Sequence, residues 1–206
     1  MHQFVGFSAS TVAGYLLGMV PSAEIVAITT SGTDIRHTGT GNPGALNVAN
    51  VVGTKAGMVV MMADVAKGFV AGRVGGRLAG PAGANAAATA AVLGHCFPAT
   101  TGFRGGKGVA ASVGQVLATF PAYFPLDFAV AAGVAANSRL THRTFAANSV
   151  ASLVWIAASV VWWRRRLPNL WGPAPTVALP IAAVVSSAVM TARFIQAGPV
   201  AEAGAR

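Results

Sequence analysis

Seven apolar stretches alternate with short polar segments along the chain, and each reads as a membrane-spanning helix. The first runs from Val5 to Thr30 and is long enough to cross about 30 Å of hydrocarbon. The others lie at 57–72, 82–98, 107–120, 125–137, 144–163 and 176–194, with 195–206 as a frayed tail. The stretch at 82–98 is alanine-rich, which lets helices approach closely in a bilayer. The stretch at 107–120 is short and needs a neighbour to complete a crossing. The pattern predicts an all-α membrane protein: one domain over 1–206, a seven-helix bundle with short, polar, glycine-rich loops on one face.

Charges stand inside the first two stretches. Glu24 reads as an interfacial or structural carboxylate. Asp64 and Lys67 stand three residues apart, so they share a helix face and can pair. Seven crossings place the first, third and fifth loops and the C-terminus on one side. That side holds Arg36, Lys55, Arg104, Lys107, Arg139, Arg143, Arg193 and Arg206. The other side holds Arg73, Arg77 and the run 164–166, next to the interfacial Trp162 and Trp163. The more basic side is expected to face the cytoplasm of a bacterial inner membrane, in a multi-pass topology.

Composition sharpens the class. The chain is 54% hydrophobic and 9% charged, whereas soluble domains carry about 25% charged residues. Its net charge of +9 is scattered over short loops without an aromatic-basic platform, so nucleic acid is excluded as a partner. Anionic lipid headgroups and anionic substrates account for the charge better. The lone Cys96 rules out an intrachain disulfide and reads as a small buried filler. The first residues lack the basic region and cleavage site of a secretory signal, so the first apolar stretch is expected to be retained.

Chemistry concentrates in two loops. Gly94-His95-Cys96-Phe97-Pro98 leads into Phe103-Arg104-Gly105-Gly106-Lys107-Gly108. Successive backbone N–H groups in such a turn can cradle an anion, and Arg104 and Lys107 add two charges before a helix N-terminus. The same residues also suit a loop whose cations only anchor it at the membrane surface. The Walker spacing is absent, because Gly108 stands at the Ser/Thr position. The earlier loop places Gly39, Gly41 and Gly44 among Thr40, Asn42 and Asn47. Hydroxyl, amide and backbone donors of this kind fit a small polyhydroxyl phosphate, and they equally make a capped turn. His37 reads as a surface residue.

Three segments now stand in order: Gly39-Thr40-Gly41-Asn42-Pro43-Gly44-Ala45, Asp64-Val65-Ala66-Lys67-Gly68, and 94–98 with 103–110. Together they resemble the bacterial acyl-phosphate:glycerol-3-phosphate acyltransferase family, the PlsY-type membrane enzymes. The resemblance covers most of 14–112 and thins to hydropathy after about residue 150. It implies seven spanning helices and transfer of a fatty acyl group from acyl phosphate to the sn-1 hydroxyl of glycerol 3-phosphate. The partners it implies are those two substrates and membrane lipid, with no cofactor and no metal. Thr40, Lys107 and His95 become the candidate catalytic residues. Gly39, Gly41, Asn42, Gly44, Asn47, Arg104, Gly105, Gly106 and Gly108 become candidate substrate- and phosphate-binding positions. The chain departs from the family at Thr40 (Ser), Leu46 (Thr), Asn50 (Arg) and Gly18-Met19-Val20-Pro21 (Gly-Ser-Ile-Pro). The C-terminal His-x-x-Asn element is replaced by Ala192-Arg193-Phe194-Ile195-Gln196. Arg193 and Gln196, or His142, Arg143 and Asn148, are the residues placed to substitute. These departures leave open a relative that binds phospholipid precursors or a partner membrane protein without turnover. Buried charges leave open a transporter.

Overall fold

The structure is a computed structural model that describes residues 2–137 and 142–198. Arg139 and the tail beyond 198 lie outside the described residues. Among the described residues every regular element is helical: α1 (His2–Gly18), α2 (Ser22–Ser31), α3 (Ala45–Val51), α4 (Thr54–Cys96), α5 (Val109–Thr119), α6 (Phe124–Ala135), α7 (Arg143–Arg165) and α8 (Ala178–Ala197). Two short 3-10 turns lie at Ala99–Thr101 and Pro121–Tyr123.

The stretch expected at 5–30 is two helices, α1 and α2, broken at 19–21. Pro21 has no N–H to give a helix, and the Lys67 ammonium takes up the carbonyls exposed by the break. The stretches expected at 57–72 and 82–98 are arms of α4, which stays helical around them. The chain leaves helical geometry only at Ala79 and Gly80, and Pro81 opens the second arm. Gly80 sits at φ +59, a region glycine enters without strain. The arms fold back on each other: a Cβ on Gly75 would collide with the Gly83 carbonyl and with Ala87. The segment 31–50, expected to be loop, contains the start of α3.

Among the described residues three segments are long and apolar enough to cross a bilayer: Phe4–Ser31, α7 and α8. A fourth exists if α5 and the segment Pro121–Ala135, bent by 114°, form one broken span. The arms of α4 fall outside this set; they carry Lys55, Asp64, Lys67, Arg73 and Arg77.

Small residues bring these helices into contact. Gly14 and Gly18 let α1 lie directly on the second arm of α4, where a side chain would strike the carbonyls of Ala87 and Ala91. One apolar cluster joins α4, α5, α7 and α8 through Val92, Cys96, Val116, Phe120, Trp155, Leu179 and Met190. Cys96 is buried there, as a filler should be. A polar chain threads the same helices: Gln115 Nε2 donates to Thr89 Oγ1 (3.0 Å), and Ser186 Oγ donates to Gln115 Oε1 (2.7 Å). In hydrocarbon such interhelical bonds are worth about 0.6 kcal/mol each and fix register.

Candidate active site

The loop between α2 and α3 is built around two side chains. Asp34 turns the backbone by accepting from Arg36 N–H at 3.0 Å, and its other oxygen lies 2.8 Å from His37 Nδ1. The His37 contact, then the Arg36 amide, hold the Asp34 carboxyl below the usual carboxylate range. Asn47 reaches back from α3. Its oxygen accepts from Thr40 N–H (2.9 Å), and its amide donates to the carbonyls of Ile35 (3.2 Å) and Thr38 (3.0 Å). Asn47 is buried, so it shapes the loop from within. Gly39 is required beside it, since a Cβ would collide with the Asn47 oxygen.

The glycine-rich loop after α4 is held just as firmly. Gly105 N–H donates to Cys96 O (3.0 Å) and Gly106 N–H to His95 O (3.1 Å). Those two amides are therefore spent inside the fold, not displayed to an anion. The two glycines serve close approach: a Cβ on Gly106 would run into the His95 ring. Gly108, at φ +86, caps α5 in the left-handed region, and a side chain there would meet Cys96 Sγ at 2.7 Å. From α8, Arg193 donates to the carbonyls of Gly105 (2.6 Å) and Gly106 (3.3 Å) and to Gln196 Oε1 (2.8 Å). Arg36 crosses from the other loop, donating to Arg104 O (2.6 Å) and pairing with Glu24.

A groove of about 920 Å³ opens between the two loops and the end of α8. Thr40, Gly41, Asn42 and Pro43 line one wall, Arg104 and Gly105 the other, with Arg36, Arg193 and Gln196 between them. Among the described residues no acidic side chain lines it. The groove holds three guanidinium-bearing residues beside a hydroxyl and an amide, a set suited to a phosphorylated polyol.

Beneath the groove lies a buried ionic cluster. Lys67 Nζ is 2.8 Å from Asp64 Oδ1 and 2.9 Å from Val20 O. His95 Nδ1 is 3.3 Å from Lys67 Nζ and 3.5 Å from Asp64 Oδ1. A small cavity of about 20 Å³ separates this cluster from Arg36, Glu24 and Gly106. Lys107 does not line the groove: its ammonium lies over the Phe194 ring, 4.6 Å from the centroid. Gly44 precedes α3 as its cap.

A family model described as glycerol-3-phosphate acyltransferase matches residues 8–197. The chain belongs to this family. A relative named glycerol-3-phosphate acyltransferase 2, from Bacillus cereus, is 38% identical over 151 residues, covering 73% of this chain and 74% of the relative. A glycerol-3-phosphate acyltransferase from Exiguobacterium sibiricum is 40% identical over 113 residues, 55% of either chain. Two crystal structures of PlsY (YgiH), an integral membrane glycerol 3-phosphate acyltransferase, share the fold. The lysophosphatidic acid form has a TM-score of 0.73 and the glycerol 3-phosphate form 0.72. Each is 28% identical and covers 92% of this chain and 88% of its own.

In this family member, then, the first and third motif segments form one groove and the second supports it from below. Arg36 is the residue that sequence reasoning passes over. Its signal was available: Glu24 needs a cation at that depth, and Arg36 is four residues before Thr40. Of the candidates to replace the family's C-terminal element, Arg193 and Gln196 line the groove and Arg143 does not. Asn50, at the family's arginine position, is exposed on α3.

Proposed function

We propose that the chain transfers a fatty acyl group from acyl phosphate to the sn-1 hydroxyl of glycerol 3-phosphate, yielding lysophosphatidic acid and phosphate. The supporting observation is the groove, where Arg36, Arg104 and Arg193 converge with Thr40 and Asn42. The named relatives and the glycerol 3-phosphate form of PlsY point to the same acceptor.

The reaction asks little covalent chemistry of the protein. Acyl phosphate is a mixed anhydride, so its carbonyl is already activated. A bond forms between the sn-1 oxygen and the carbonyl carbon while the bond from that carbon to the phosphate oxygen breaks; phosphate leaves with the electron pair and takes up the hydroxyl proton. Two phosphates must be held side by side against their repulsion, and the hydroxyl must be aligned. In this reading Arg104 and Arg193 meet phosphate, and Thr40 and Asn42 orient the glycerol. His95 and Lys107 secure the glycine loop from beneath and behind. The acyl chain runs into lipid between helices. Seven crossings would put the groove at the cytoplasmic leaflet of the bacterial inner membrane, with the basic loops inside.

The test is phosphate release by the detergent-solubilised protein given palmitoyl phosphate and glycerol 3-phosphate. The reading predicts release that depends on glycerol 3-phosphate. Arg104→Gln should lower kcat/KM about ten- to hundredfold, the loss of one charge-assisted contact. Glycerol 3-phosphate binding without release would identify a binding protein instead.

A further inference from the structure

Acyl transfer sets free the proton of the sn-1 hydroxyl, and the groove contains one side chain able to receive it. The guanidiniums of Arg36, Arg104 and Arg193 are already protonated, and an amide or a threonine hydroxyl is too weak a base. Among the described residues lining the groove, only the imidazole of His37 can accept a proton near neutral pH. His37 belongs to the loop that also carries Thr40 and Asn42, the glycerol side of the groove in the proposed reaction.

The ring is held, not loose. His37 Nδ1 lies 2.8 Å from Asp34 Oδ2, and the other oxygen of Asp34 accepts from Arg36 N–H at 3.0 Å. The Asp34 carbonyl closes the turn, accepting from His37 N–H (3.2 Å) and Thr38 Oγ1 (2.8 Å). Ile35 is buried in a cluster with Ala23, Ala27 and Val48, which ties the turn to α2 and α3. A carboxylate against Nδ1 selects the tautomer with its proton there, so the lone pair of Nε2 is the one offered to a ligand. The His37 side chain is 83% exposed, within reach of a substrate entering from water. The charged groups facing it are Asp34 and Arg36 from its own loop, Arg104 from the glycine loop and Arg193 from α8. Asp34 steadies the imidazolium that forms, and the guanidiniums favour its return to the neutral ring.

We propose that His37 is the catalytic base of acyl transfer and that Asp34 is its positioning residue. Nε2 takes the proton of the sn-1 hydroxyl as the bond from that oxygen to the carbonyl carbon forms. The imidazolium then gives the proton to the departing phosphate, and the neutral ring is restored. The assignment rests on the acyl-transfer reading.

Initial rates of phosphate release from palmitoyl phosphate and glycerol 3-phosphate, followed from about pH 5.5 to 8.5, test it. The unaltered protein should show a kcat that falls on the acidic side. His37→Gln should lower kcat about hundredfold, change KM for glycerol 3-phosphate less than threefold and lose the acidic limb. Titration of the substrates' own phosphates would leave that limb in the variant. His37→Ala should regain rate when imidazole is added, because the position is open to water. Asp34→Asn has an amide that can donate to Nδ1 and put the ring proton on Nε2; it should lower kcat about tenfold, yet cost nothing further in the His37→Gln background. Full kcat with the acidic limb intact in His37→Gln would overturn the assignment and leave the acyl-transfer reading standing. A loss in His37→Ala that imidazole does not repair would also overturn it. Absence of phosphate release from the unaltered protein would overturn both.

Discussion

Replacing Lys67 with methionine isolates the ionic cluster beneath the groove. Methionine keeps the length of the side chain and removes its charge. Asp64 and Lys67 have side-chain exposures of 3% and 6%, so neither can turn to water when the other is lost. At 2.8 Å their attraction is about 6 kcal/mol for an effective dielectric of ~20. Desolvation offsets much of this, yet breaking a buried pair from one side costs about 3–5 kcal/mol, because a bare charge stays inside. The variant also uncovers Val20 O and Gly18 O at the break between α1 and α2. Scanning fluorimetry in detergent should therefore show melting lowered by about 6–20 °C. The double variant Asp64→Asn, Lys67→Met should recover part of the loss, with an interaction energy of at least about 1 kcal/mol. Lys67→Met melting with the unaltered protein, or the two changes simply adding, would refute the cluster as a coupled unit.

Other substitutions test neighbouring contacts. Gly106→Ala forces a methyl against the His95 ring and within 3.1 Å of Pro43 O; it should cost about 1–3 kcal/mol of stability and at least tenfold in phosphate release. Asn47→Leu removes three loop bonds, and the KM for glycerol 3-phosphate should rise more than kcat falls, as initial rates would show. Asp34 has its carboxyl held low in the folded protein, so its stabilisation is present above the unfolded carboxylate value near about 3.9 and fades as pH falls through the folded value. Melting temperatures should accordingly drop less steeply for Asp34→Asn than for the unaltered protein below about pH 4.

Some of this architecture is visible in the residues. Asp64 and Lys67 are predicted to pair by spacing alone and do so. Cys96 is predicted to fill space and is buried. Local patterns mislead where tertiary contacts decide. The basic stretch 73–81 reads as a loop, yet the chain stays helical to 78, because a tight turn needs only Ala79 and Gly80 to leave helical geometry. The seven residues of α3 carry too short a pattern to stand out from a polar loop. Gly105 and Gly106 read as an anion cradle, but the partners of their N–H groups come from the end of α4, contacts a sequence pattern does not reveal. For Arg36 the sequence offers a cation for Glu24, but its bond to the Arg104 carbonyl exists only when α2 and the glycine loop are brought together.

Glycerol 3-phosphate bound to the protein, located crystallographically, tests the central claim most directly. The account predicts its phosphate within hydrogen-bond reach of Arg104 or Arg193 and its sn-1 hydroxyl toward Thr40 and Asn42. A phosphate bound instead at the other end of α7, among Arg164, Arg165 and Arg166, would contradict it.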